Sequence, residues 1–230
     1  MSAIMLERSR NVKPFSYALK HVVCSPKRGD RMTVCIAATC EQGRSIVLVA
    51  DKLVSLGYVE GESATKITAI HPLWYMMMAG DDVAPLFELA DLCRAELTVN
   101  QRVSLESVME VTQRNYELIR MRRAEAQYLK PIGWTIKRFN EEGGSALPDF
   151  REIQSKLEAF DLSVEILVAG FDDQMLNPAR IFTMYSSERG IPRRHDIPGF
   201  AAIGSGGIAA VWMMLFKDFS SNLPTRAAVY

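Results

Sequence analysis

Two apolar runs, TVCIAATC at 33–40 and SIVLVAD at 45–51, are separated by the short polar turn EQGR. Both are rich in β-branched residues and the connection contains Gly43, so together they predict a β-hairpin. A polar stretch, LGYVEGES, then leads to a second strand pair, KITAI at 66–70 and LWYMMMAG at 73–80, around His71-Pro72. Next the period changes. Leu86, Leu89, Ala90, Cys93 and Leu97 recur at helical spacing, with Asp81 and Asp82 as candidate caps. Leu105, Val108, Met109, Thr112, Tyr116 and Ile119 repeat that spacing behind Ser104, which is placed to be an N-cap. Residues 130–150 break the period with Pro131, Gly143, Gly144 and Pro148. They predict a surface insertion, at about 130–160 in all, that closes with a short helix at 151–160. SVEILVAGFD at 163–172 and ARIFTMYS at 179–186 are strands again, and GFAAIGSGG at 199–207 carries a buried strand into a helix from about Ile208.

Strands, two helices, strands and a helix cannot alternate as βαβ units. The order predicts an α+β domain of two packed sheets with helices outside them. Met109 and the Met76–Met78 run fall on the apolar stripes and are expected to face the core rather than a cofactor.

Composition narrows the function. The 230 residues suit one domain, and 48% hydrophobic with 23% charged residues is ordinary for a globular chain. No run approaches the roughly 18 uninterrupted apolar residues of a membrane span. The net charge is zero but uneven: residues 1–32 hold seven Lys or Arg against Glu7 and Asp30, which leaves the remainder net acidic. A nucleic-acid partner would call for a basic body, so none is expected. The first 32 residues also lack the apolar centre of a secretory signal. Cys24, Cys35, Cys40 and Cys93 have no zinc-like spacing, which predicts buried reduced thiols in a cytoplasmic protein.

Familiar catalytic groups are scarce. GSGG at 204–207 lacks the spacing of a serine-hydrolase elbow, and there is no HExxH and no P-loop. Of the three histidines, His71 sits in a tight turn and His195 in the basic loop IPRRHDIP. No metal or cofactor is expected. A threonine at a chain terminus is the remaining nucleophile, because its own α-amine can accept the hydroxyl proton. Such a site needs a nearby cation to favour the alkoxide and a carboxylate to orient that cation. Thr33 opens the first hairpin, Asp51 closes it, and Lys66 starts the next strand.

These residues stand in a familiar order. TVCIAA…SIVLVAD, Lys66 of TKITAI, the AGD of YMMMAGDD, VAGFD at 168–172 and AIGSGG at 202–207 resemble the proteasome β-subunit and bacterial HslV family of N-terminal nucleophile hydrolases. The resemblance runs from 33 to about 216 and implies a four-layer αββα sandwich, apparently truncated at its C-terminus. It implies Thr33 as nucleophile, Asp51 and Lys66 as its charge pair, the Gly80 N–H as oxyanion donor and Ser205 as support. It also places Val54, Ser55 and Met78 around the substrate and implies a preference for an apolar residue on the acyl side. Family members expose the threonine by self-cleavage or by losing an initiator methionine. Met32 is therefore expected to be the true start of the domain, 32–230, with the mature protein beginning at Thr33 and 1–31 an upstream extension or leader. The implied activity is that of a threonine-type peptidase subunit in a homo-oligomeric ring, acting on peptides or unfolded protein and compatible with an ATPase partner. A small-molecule amidase of the same fold and a non-catalytic ring subunit are the alternatives.

Overall fold

The computed structural model describes residues 2–7, 20–23, 33–51, 54–56, 59–61, 66–80, 82, 84–98, 103–172, 174–175 and 178–229. Its elements, in chain order, are β1 (Ser2–Glu7), β2 (Lys20–Val23), β3 (Cys35–Cys40), β4 (Ser45–Ala50), β5 (Val54–Leu56), β6 (Val59–Gly61), β7 (Ile67–His71) and β8 (Trp74–Gly80). There follow α1 (Ala84–Leu97), α2 (Leu105–Ala124), α3 (Ile136–Ala146), α4 (Phe150–Ala159), β9 (Val164–Phe171), β10 (Ala179–Tyr185), β11 (Arg193–Arg194), β12 (Phe200–Ile203), α5 (Gly207–Phe216) and α6 (Thr225–Val229). The fold is mixed α+β, with two antiparallel five-stranded sheets and six α-helices among the described residues.

One sheet has the order β12-β3-β4-β1-β2 and the other β11-β10-β9-β8-β7, while β5 and β6 form a hairpin of their own. The β3–β4 hairpin pairs Cys35 with Ala50 at its open end and Cys40 with Ser45 at its tip. Glu41, Gln42 and Gly43 all take positive φ there, and the Gly43 N–H closes the turn on the Cys40 carbonyl at 3.0 Å. Within 1–31, which the sequence places outside the domain, β1 pairs along β4 from Ser2↔Ala50 to Glu7↔Ser45. β2 then pairs along β1.

The central strands β8, β9 and β10 of the second sheet are buried on both faces, which is why they read as nearly continuous apolar runs. Along β9, Val164, Ile166 and Val168 join the core beneath α1 and α2. The alternate residues Leu167, Ala169 and Phe171 meet Cys35, Ala37, Ile46 and Leu48 of the first sheet in a second core. The two sheets therefore face each other through their apolar sides. Against the other face of the first sheet, α5 packs on β12 and β3, and α6 on β3 and β4.

The predicted caps are used. Ser104 Oγ accepts the Ser107 N–H at 3.2 Å at the start of α2, and Asp82 Oδ1 accepts the Ala84 N–H at 2.9 Å before α1. Asp81 lies outside the described residues. The buried Asp172 supplies a second anchor by accepting the first N–H of α2, at Leu105, at 3.1 Å. Pairs such as Glu88 with Arg122 and Glu96 with Arg114 show that α1 and α2 run antiparallel.

The insertion departs from expectation. Residues 136–146 form α3 despite Gly143 and Gly144. Thr135 caps it by accepting the Arg138 N–H, and Phe139 stacks on Phe150 of α4 at 4.7 Å between ring centroids. Gly143 lies where that ring passes: a Cβ there would stand 2.8 Å from Phe150. The residue that looked like a breaker permits the helices to pack. Ala124, Leu129, Phe139 and Leu157 form a small separate core for this region.

Candidate active site

The open end of the β3–β4 hairpin brings Thr33 and Asp51 together. Antiparallel pairing carries on past Cys35↔Ala50, with the Asp51 N–H donating to the Val34 carbonyl at 3.1 Å. The Val34 N–H in turn donates to Asp51 Oδ2 at 2.5 Å, which fixes the carboxylate. Lys66 comes from the opposite sheet, one residue before β7. Its Nζ donates to Asp51 Oδ1 at 2.5 Å and to Thr33 Oγ1 at 3.2 Å. The lysine side chain is 7% exposed and that of Asp51 15%. Removing ions of this size from water is costly, and the cost is offset only by close pairing and further hydrogen bonds, both of which are present.

A third segment closes over Thr33 from behind. Ser205 Oγ accepts the Thr33 N–H at 3.0 Å, and the Gly206 N–H donates to the Thr33 carbonyl at 3.0 Å. Gly204 takes φ +89°, and a Cβ on it would lie 2.4 Å from the Thr33 carbonyl oxygen. Only glycine lets the 204–206 loop lie this close. That loop is the link between β12 and α5.

Gly80 is fixed less directly. The Cys35 thiol donates to the Met78 carbonyl at 3.7 Å, so the strand ends holding Thr33 and Gly80 each lie two residues beyond a shared contact. Gly80 takes φ +156°, and a Cβ there would meet the Ser163 carbonyl oxygen at 2.7 Å. The Cys35 thiol is pushed up to about 12, chiefly by burial, so it is a poor nucleophile despite its place beside the site. Cys40 and Cys93 are likewise free and buried, and burial raises them to about 11 and about 12.

Thr33, Asp51, Lys66 and Ser205 thus converge. Met78 is 3% exposed and packs in the core with Leu86 of α1 and Ile166 of β9. Val54 and Ser55 fall on β5, and their side chains lie outside the described residues, as does Cys24. The two described histidine side chains stand apart: His71 Nδ1 accepts the Leu73 N–H in its turn, and His195 Nε2 lies 2.8 Å from Thr183 Oγ1. No cluster of His, Cys, Asp or Glu able to hold a metal is found among the described residues. Nor is any described helix long and apolar enough to cross a membrane. A cavity of 340 Å³ at the far end of β3 is lined by Thr39, Arg180 and His195 and by none of the converging residues.

One residue the spacing did not single out also belongs here. Glu165, near the start of β9, accepts the Gly204 N–H at 2.6 Å. The signal was a lone carboxylate in the apolar run SVEILVAGF; its partner, some forty residues away, could not be read from it.

What the convergent groups can do follows from their chemistry. Lys66 is a buried donor held on a threonine hydroxyl by a carboxylate, an arrangement that favours the developing alkoxide. Compared with known proteins, the chain matches no family model and no curated protein at a significant level.

Proposed function

We propose that this chain is a hydrolase in which Thr33, once freed at its nitrogen, attacks the carbonyl carbon of an amide. The observation that carries the reading is the single Lys66 Nζ shared between Thr33 Oγ1 at 3.2 Å and Asp51 Oδ1 at 2.5 Å. While Met32 precedes it, Thr33 has an amide nitrogen and no base of its own. With Met32 removed, the α-amine takes the hydroxyl proton as Oγ bonds to the substrate carbon. Lys66 lowers the cost of the developing alkoxide, Asp51 holds Lys66 in place, and the Gly80 N–H is assigned to the tetrahedral oxyanion. The C–N bond then breaks, the ammonium returns its proton to the leaving amine, and water hydrolyses the ester to release the acid and restore Thr33.

The facing sheets, with α1 and α2 on one outer side and α5 and α6 on the other, support the finer description of a four-layer αββα sandwich. The resemblance described above makes the substrate a peptide or unfolded protein and the working form a cytoplasmic homo-oligomeric ring, with an ATPase as a compatible partner. Met78 and the β5 residues Val54 and Ser55 are then the substrate-side group. Protein started at Met32, so that Thr33 is terminal, should hydrolyse fluorogenic peptides and unfolded casein, and Thr33→Ala should not. Turnover of small amides alone would favour the amidase. No turnover by the protein with a terminal Thr33 would assign the fold a structural role, and equal turnover by Thr33→Ala would remove Thr33 as the nucleophile.

A further inference from the structure

Glu165 joins the two sheets at the candidate site. It is the second residue of β9, where alternate positions face opposite sides. Leu167, Ala169 and Phe171 share its register and lie in the core between the sheets. Glu165 therefore continues that inward row as a carboxylate at the end of the sheet where Thr33 lies. Its neighbours across the ladder are Ala79, next to Gly80, and Tyr185. It is only half-buried, and its Oε2 accepts the Gly204 N–H at 2.6 Å across the gap to the other sheet.

That one bond reaches Thr33 through the loop it holds. Gly204 lies flat on the Thr33 carbonyl, Ser205 Oγ holds the Thr33 nitrogen, and Gly206 N–H holds the Thr33 carbonyl. The loop is closed on itself by the Gly207 N–H on the Gly204 carbonyl at 2.8 Å. A displacement of Gly204 would thus move every backbone and side-chain partner of Thr33 that the loop supplies. The charge is also felt two residues along the chain from Thr33. At the Cys35 thiol, burial is the main cause of the upward shift; Lys66 opposes it, and Asp51 and then Glu165 add to it.

We infer that Glu165 is a positioning residue, which pins the 204–206 loop on Thr33 through the Gly204 N–H and places a negative charge near the Thr33 nitrogen. This rests on Thr33 being the nucleophile proposed above. Two consequences separate the hydrogen bond from the charge. Glutamine keeps an acceptor for Gly204 but removes the charge, and alanine removes both. A nearby carboxylate favours the ammonium form of a freed Thr33 amine. Removing the charge therefore lowers the pH at which that amine becomes a working base.

The test begins without turnover. Hydrogen exchange on the full chain should show the 203–207 amides exchanging about tenfold faster or more in Glu165→Ala, the factor that a lost hydrogen bond to a charged group implies. Glu165→Gln should stay close to wild type. Unchanged exchange in Glu165→Ala overturns the pinning, whatever the protein does to substrates. In protein started at Met32, Glu165→Ala should lower kcat by a similar factor with little change in KM. Glu165→Gln should recover most of that loss and move the acid limb of kcat/KM to lower pH. Wild-type rates and an unmoved acid limb in both variants overturn the proposal. Should Glu165→Ala fail to fold, Glu165→Gln decides through its acid limb alone. A wild-type protein with no turnover, but with loop exchange sensitive to Glu165→Ala, would remove the hydrolase reading and leave the pinning standing.

Discussion

Removing the Lys66 side chain takes the ammonium away from Asp51 Oδ1, and neutralising Asp51 leaves a buried ammonium beside a threonine hydroxyl. Lys66→Ala and Asp51→Asn should each abolish turnover in protein started at Met32, and each should lower stability by roughly 3–5 kcal/mol at most, the range for breaking a buried pair. The double variant should lose much less than the sum, because each single change already removes the pair. Chemical denaturation with parallel rate measurements checks both statements. Additive losses, or wild-type rates in both single variants, would take the pair out of the site. A second residue-scale prediction concerns His195, which lies beside Thr183 and away from the site. Burial, then the charge of Arg193, lowers its pKa below the usual value. The unfolded chain therefore binds the proton more readily, and stability should be full above pH about 6.5 and fall as pH drops below it. His195→Asn should flatten that slope in denaturation curves taken between neutral and acid pH. An unaltered slope would show that other groups carry it. Thr33, Asp51 and Lys66 were legible at this scale because a hairpin brings the first two together and a strand start supplies the third. Glu165 was not, since a side chain's reach across two sheets leaves no spacing in the sequence.

The elements divide along the same line. Strand pairs and the two long helices follow from periods of two and 3.6 that burial enforces directly, and the Ser104 and Asp82 caps lie where those periods begin. The helix α3 escaped because two adjacent glycines outweigh a weak local pattern, and what overrules them is the Phe139–Phe150 stack, a contact with the next helix. The two glycines should respond in opposite directions. A Cβ on Gly144 meets nothing within 4 Å, so Gly144→Ala should stabilise by about 0.5–1 kcal/mol, the ordinary gain in a helix interior. A Cβ on Gly143 meets the Phe150 ring at 2.8 Å, so Gly143→Ala should lose that gain to overpacking of about 1–3 kcal/mol. Thermal melts of the two variants settle the matter. Stabilisation by both would mean that the α3–α4 contact yields without cost.

For the whole molecule, the proposed ring makes a demand on the surface. Ile208, Trp212 and Phe216 recur every four residues along α5 and are 76%, 68% and 81% exposed, a stripe of the kind that association covers. Sedimentation of protein at micromolar concentration should give a multiple of the 25.8 kDa chain mass, and Trp212→Glu should shift it toward that single mass. A wild-type monomer would remove the ring from the proposal while leaving the Thr33 site untouched. That site is the central claim, and covalent capture tests it most directly. Protein started at Met32 is incubated with an acylating β-lactone, weighed intact and mapped by peptide mass. One adduct is expected, on Thr33, absent from Thr33→Ala and from protein still carrying residues 1–32. An unmodified Thr33, or equal modification of the form in which its nitrogen is an amide, would contradict it.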